Sequence, residues 1–443
     1  MTAPTAIAID AGARFTRIAH LGADGTPVLA ELPGSVPGEG LPTPVGVGGH
    51  RGAALRDAYA RYREHRGTPE RVVLVVPQQD RADHARRATD VLTALHGTDP
   101  MPRLRVLGVP HAVLALLRHT ATATDPRYTV CDLGAGAVEV SVCALTAGAV
   151  AVAGSARYGP AGGYGAGSDA ALLDGAGLPD DDAGRRALTQ ARARPGAAQR
   201  LDIALRRTAR RPGRYEDTAV FQVAGRDITV GMVRRALDRL TAGLDQVLAE
   251  AQGGRPAPPV IAVGGGARFG PLVRHLADRQ GEPVALPVGT DPAHAAAFGA
   301  ALVAAGRVDP ADRYPYAVSV GTHRTVAGEP RAEELLISPA GALEPGGATV
   351  FAESGGQRVR VRTGPAGGAS RPVRIRVRDA ESGSTTPVGT LTIPPGDEGA
   401  RFHVGVRIAV DGTARLVLHP LGSGTPSEHP LGVLPTDIEG ARS

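Results

Sequence analysis

Tyr128 to Leu145, YTVCDLGAGAVEVSVCAL, reads as an apolar strand, a tight glycine turn carrying an aspartate, and a second apolar strand. Tyr128, Val130, Val138, Val140 and Val142 are the aromatic and β-branched residues that fit a pleated, half-buried surface. Between them Asp132, Gly134 and Gly136 spell D-x-G-x-G. Glycine has no Cβ to hold a ligand away, so the backbone N–H groups of such a turn can approach an anion closely. The neighbouring carboxylate suits a hydrated Mg²⁺, an ion that binds through one or two carboxylates and the phosphates of its substrate. Taken alone, the pattern is also that of a plain β-hairpin.

The same device opens the chain. Thr5 to His20, TAIAIDAGARFTRIAH, is strand, Asp10-x-Gly12 and strand; Pro259 to Leu276, PVIAVGGGARFGPLVRHL, is strand, Gly264-Gly265-Gly266 and helix. Two aspartate–glycine hairpins followed by a glycine-rich strand-to-helix turn resemble the actin, sugar-kinase and Hsp70 ATPase superfamily. The resemblance implies that the hairpins clamp phosphates with Mg²⁺ and that the third element holds the adenosine.

Composition narrows the class. A chain of 443 residues has room for two or three domains, and 42% hydrophobic residues supply a core, while 60 Gly and 37 Pro imply many turns. No apolar run approaches the ~20 residues of a membrane span, and the amino terminus enters a strand without a basic region or cleavage site. Cys131 and Cys143 flank the central turn and read as small buried residues of a reducing compartment, ahead of a redox pair. A cytoplasmic protein with no membrane partner is expected. All 49 Lys and Arg residues are arginine, and the net charge of +5 is modest. Six Phe, eight Tyr and no Trp offer few platforms for stacking bases, which disfavours nucleic acid.

Between the hairpins, Arg51 to Arg66 and Gln79 to Leu95 read as helices, Arg71 to Pro77 as a strand buried on both faces, Leu104 to Val109 as a strand and His111 to His119 as a helix. That alternation is α/β. RVVLVVPQQDRADHARRATDVL, RLRVLGVPHAVLALL and YTVCDLGAGAVEVSV together resemble the middle of an Hsp70 nucleotide-binding domain. Gly162 to Leu173, GGYGAGSDAALL, resembles that family's glycine–acid turn, Gln199 to Val223 and Thr229 to Ala251 the lobe over the adenine, and Thr290 to Ala305 the closing helix. The stripe Val230, Val233, Leu237, Leu240, Leu244, Val247 and Leu248 reads as core packing. From Tyr314 onward short strands alternate with Gly, Pro and Ser, and VGTLTIPPGDEGARFHVGVRIAVDGTARLVL is similar to the β substrate-binding domain of Hsp70. The expected fold is an α/β two-lobed actin-like ATPase fold at 1–305, a polar linker at 306–314, an all-β sandwich domain at 315–422 and a Pro/Gly-rich tail at 423–443 in place of a helical lid.

Carried over residue by residue, the resemblance implies ATP contacts from Asp10, Gly12, Arg14, Asp132, Gly134, Gly136, Gly167, Gly264, Gly265 and Arg268, with Asp10 and Asp132 organising Mg²⁺ through water and Arg268 packed on the base. Glu139 takes the place of an aspartate. The groups for hydrolysis are missing: the family's threonines fall on Ala13, Arg14 and Ala137, its catalytic glutamate on Val109, and no lysine replaces its catalytic lysine. Phosphoryl transfer relies on positioned charge and an oriented water, so a chaperone-type protein that binds ATP with weak or absent hydrolysis is expected. Its β domain would bind a client protein or peptide. The rivals are an active ATPase chaperone with substituted residues, a small-molecule kinase of the same superfamily, and a scaffold with an empty cleft. Separately, Arg358, Arg360 and Arg362 alternate with valines, and Arg374, Arg376 and Arg378 with Ile375 and Val377. Paired as a hairpin across Pro365 to Arg371, they would form one face for an acidic partner; the other reading is a solvated strand face that blocks edge aggregation.

Overall fold

The β-branched runs of the first half form strands, and the alanine- and arginine-rich stretches between them form helices. This is seen in a computed structural model that describes residues 6–43, 51–79, 81–146, 149–254, 256–327, 329–362, 371–379, 383–393, 400–409, 413–422 and 424–435. The chain divides into two compact units, Met1–Cys143 with Gly154–Pro310 and Ala144–Ala153 with Ala311–Ser443. The first is mixed α/β, and the second is built of β-sheets.

Two sheets with a repeated strand order carry the first unit. In one, Pro27–Leu29, Phe15–Leu21, Ala6–Ala11, Arg71–Val76 and Arg103–Gly108 lie side by side in that order. The first three are antiparallel, and the last two run parallel to Ala6–Ala11. In the other, Ala149–Tyr158, Val138–Thr146 and Arg127–Leu133 are followed by Val260–Val263, parallel to Arg127–Leu133. Val72, Val73, Leu74 and Val75 are all buried, as an unbroken apolar run in a parallel sheet requires.

Helices α1 (Arg51–Arg66) and α2 (Arg81–His96) bury Tyr59, Tyr62 and Leu92 against the first sheet. Helix α3 (Val109–His119) packs on α9 (Ala295–Ala304), an alanine-rich helix whose Gly299 brings the two backbones together. On the second-sheet side, α4 (Tyr164–Gly175), α5 (Asp182–Ala193), α6 (Ala197–Arg210) and α7 (Val230–Gln252) enclose Leu172, Leu173, Leu188, Leu201, Phe221 and Val233. The α7 stripe is core, with Val230, Val233, Leu240, Leu244, Val247 and Leu248 buried and Leu237 half-buried. Helix α8 (Gly270–Gln280) follows the third glycine turn. Cys131 and Cys143 are free and buried, and burial pushes the Cys131 thiol well up, which suits an inert packing residue.

In the second unit, Glu329–Ser338, Ala317–Val326, Arg371–Arg378 and Thr385–Ile393 form one sheet. Val350–Phe351 and Arg360–Val361 pair with Phe402–Ile408 in the other, followed by Thr413–Pro420 and Ser427–Val433. Val318, Val320, Ile375 and Val377 from one sheet share a core with Val404, Val406, Leu416 and Leu418 from the other. Three expectations are corrected here. The arginine hairpin does not form: Arg358 lies opposite Glu353, Arg360 opposite His403, and Arg376 opposite Ser319 and Pro387, so the two rows do not pair with each other. Each row is exposed because its intervening apolar residues turn into the shared core. Most of the turn expected at 365–371 lies outside the described residues. The tail contributes Ser427–Val433 as an edge strand, a position that tolerates Pro430. The linker shortens, for Ala311–Asp312 is a strand parallel to Ala149–Val150. Among the described residues no helix is long and apolar enough to cross a membrane.

Candidate functional site

Strand pairing puts both aspartates at sheet ends. Asp10 is next to the last residue of Ala6–Ala11, opposite Val75 on one side and Arg17 on the other. The turn that follows is tight, since a Cβ on Gly12 would lie 2.7 Å from the Phe15 carbonyl oxygen. Asp132 is likewise next to the last residue of Arg127–Leu133, opposite Val263. Immediately after Val263, Gly264 adopts φ 84°, and a Cβ there would stand 2.5 Å from Asp132 Oδ1 and 2.8 Å from the Leu133 oxygen. The third turn therefore rests directly on the second. The first touches it as well, because a Cβ on Gly136 would be 3.0 Å from the Ala13 Cβ.

The three turns converge on one cleft of about 950 Å³. Asp10, Gly12, Arg14, Asp132, Gly134, Gly136, Gly264, Gly265 and Arg268 all line it. Gly167 is the exception among the expected residues. It sits inside the first turn of α4 against Gly162, and Gly165 and Ser168 border the cleft instead. The amides that start α4 hold the central turn in place: Tyr164 N–H donates to the Gly136 oxygen at 3.1 Å and Ala166 N–H to the Ala135 oxygen at 2.9 Å.

Charge pairs cross the cleft between the two sheets' halves. Arg14, in the first turn, donates from Nη1 to Asp169 Oδ2 of α4 at 2.6 Å and from Nη2 to Thr189 Oγ1 of α5 at 2.7 Å. Asp169 is buried, and its other oxygen accepts from Arg192 at 2.6 Å. Arg268 grips Asp291 through Nε and Nη2 and reaches Glu39 Oε1 at 2.5 Å. Arginine's N–H donors lie in the guanidinium plane, so these bonds leave its two faces unengaged. Deeper in, Glu139 accepts the backbone N–H groups of Gln78 and Gln79.

The sequence reading missed Arg17, Glu39, Asp169, Arg192 and Asp291. Arg17 could have been found, because hairpin geometry places it across from Asp10. Glu39 carries no local signal; Arg268 is 229 residues away from it.

Burial first, and then Arg17 and Arg268, lower the His294 pKa below its ordinary 6.5, with Asp291 opposing. Burial and Arg63 do the same to His96. A folded pKa below the unfolded one means that the unfolded chain takes up the proton first. This contribution to stability is therefore complete above pH 6.5 and is lost as pH falls through the lower, folded values. Denaturation midpoints measured from pH 8 to 5 should drop below pH 6.5, and His294→Gln should flatten the slope; an unchanged slope would contradict this origin.

Asp10 and Asp132 are the carboxylates that the expected Mg²⁺ would use. Asp10 faces the guanidinium of Arg17 at 3.8 Å, a fixed positive charge that opposes a second cation on that carboxylate. No protein-family model matches the chain, and no curated protein matches it.

Proposed function

We propose that the first unit is an actin-like, Hsp70-type nucleotide-binding fold whose cleft holds ATP with weak or absent hydrolysis. The observation that carries this reading is the meeting of three glycine turns, two of them with an aspartate at a strand end, in one cleft. The repeated strand order of the two sheets, a run of consecutive strands and then a parallel neighbour from later in the chain, supports the fold assignment. In this reading the backbone turns receive the phosphates and Arg268 packs on the base. Ala13, Val109 and Ala137 line the same cleft where hydrolysis would need a hydroxyl or a carboxylate. By the same resemblance the β unit binds a client protein or peptide.

Calorimetric titration with ATP tests the reading. Saturable binding is expected, with turnover at background. Arg268→Ala should weaken binding by about tenfold, the order of a guanidinium–ring contact of ~1–2 kcal/mol. Absence of binding removes the reading, and rapid ATP cleavage lost in Asp10→Ala removes its second half.

A further inference from the structure

Asp10 and Arg17 are directly opposed on an antiparallel pair, so their side chains rise from the same face of the sheet. Arg17 is held firmly. Its side chain is 10% exposed. Gly40, at φ 105°, passes so close to its stem that a Cβ would lie 3.2 Å from Arg17 Cγ and 2.6 Å from the Thr16 oxygen. The Phe15 ring lies 5.8 Å from its Cζ. The guanidinium lines the cleft, with Nη1 3.9 Å from where a Gly12 Cβ would be.

Its donors are not saturated. The ion pairs to Asp10 and Glu39 are 3.8 and 3.6 Å long, beyond hydrogen-bond length. The buried Nε–H has no acceptor among the described residues. A largely buried guanidinium that lines a cleft and makes no hydrogen bond to the described residues can take an anionic acceptor from outside the chain.

We propose that Arg17 is the fixed cation of this cleft and that a phosphorylated ligand binds there without a divalent metal ion. The inference rests on the nucleotide reading above and specifies its electrostatics. Mg²⁺ requires near-octahedral oxygen ligands and reaches a protein through its carboxylates. A guanidinium beside Asp10 repels a dication and competes with it for the carboxylate that would order the ion's water. The same guanidinium can donate to phosphate oxygens itself.

The test is calorimetric titration of the full chain with ATP, in Mg²⁺ and again in excess EDTA. The expected result is a Kd that differs by less than about threefold between the two, and Arg17→Ala weakening binding in EDTA by about tenfold or more. Wild-type binding that needs Mg²⁺, weakening about tenfold or more in EDTA, overturns the inference and leaves the nucleotide reading standing. Absence of binding in both conditions removes the nucleotide reading, and this inference with it. Unchanged binding by Arg17→Ala in EDTA overturns the role of Arg17, Arg17→Gln serves where the alanine variant does not fold, and the wild-type comparison decides the metal question by itself.

Discussion

Gly299→Ala should destabilise the first unit by about 2 kcal/mol, although alanine is the better helix former. Gly299 lies in α9, where the helix crosses α3. A Cβ built on it would fall 1.8 Å from the Ala112 carbonyl oxygen, 2.7 Å from the Ala112 carbon and 3.2 Å from the Leu116 nitrogen. All three are backbone atoms, so no side chain can swing aside and the helices must separate. Relief of glycine's conformational freedom contributes at most ~1 kcal/mol in favour of alanine. Overpacking a close-packed contact costs ~1–3 kcal/mol, and a clash this deep belongs at or above the upper end. The clash wins. Gly52→Ala in α1 is the control, because its Cβ would meet Val91 Cγ2 at an ordinary 3.6 Å. That substitution should be neutral or mildly stabilising. Urea denaturation separates the two: a lower midpoint at unchanged m value is expected for Gly299→Ala alone. Equal midpoints for Gly299→Ala and wild type would refute the close crossing.

What the sequence made legible was local. Asp10-x-Gly12, Asp132-x-Gly134 and Gly264 to Gly266 are turn chemistry written in consecutive residues, and the valine runs around them fix strands whatever they pair with. Alternation in Arg374 to Arg378 correctly set which face turns outward. It could not name the neighbour, which is Ala317–Val320 some distance earlier in the chain. Phase within a turn is equally ambiguous: the resemblance points to Gly167, whereas Gly165 borders the cleft. Charge partners were the least visible of all. Arg14 finds Asp169 across 155 residues, a pairing that only the closed arrangement of the two sheets creates.

Glu139→Ala should have the larger effect on that arrangement. The residue is 4% exposed, and its carboxylate accepts Gln78 N–H at 3.1 Å and Gln79 N–H at 2.5 Å. Glu139 belongs to the second sheet of the first unit, whereas the two amides follow Arg71–Val76 of the first sheet. One side chain thus joins the halves beneath the cleft. Truncation leaves two donors without their acceptor, at ~1–3 kcal/mol each, and recovers part of the cost of burying a carboxylate. A net loss of about 3 kcal/mol is expected. Glu139→Gln keeps one acceptor oxygen but turns an NH₂ toward an N–H, so it should lose a large part of the same stability. A cavity alone cannot explain that, because glutamine fills the same volume. Hydrogen exchange gives the sharper readout: the amides of Gln78 and Gln79 should lose protection in both variants while those of Val72 to Val75 keep theirs. If Gln78 and Gln79 stay as protected in Glu139→Ala as in wild type, their amides have another acceptor and Glu139 does not join the two sheets.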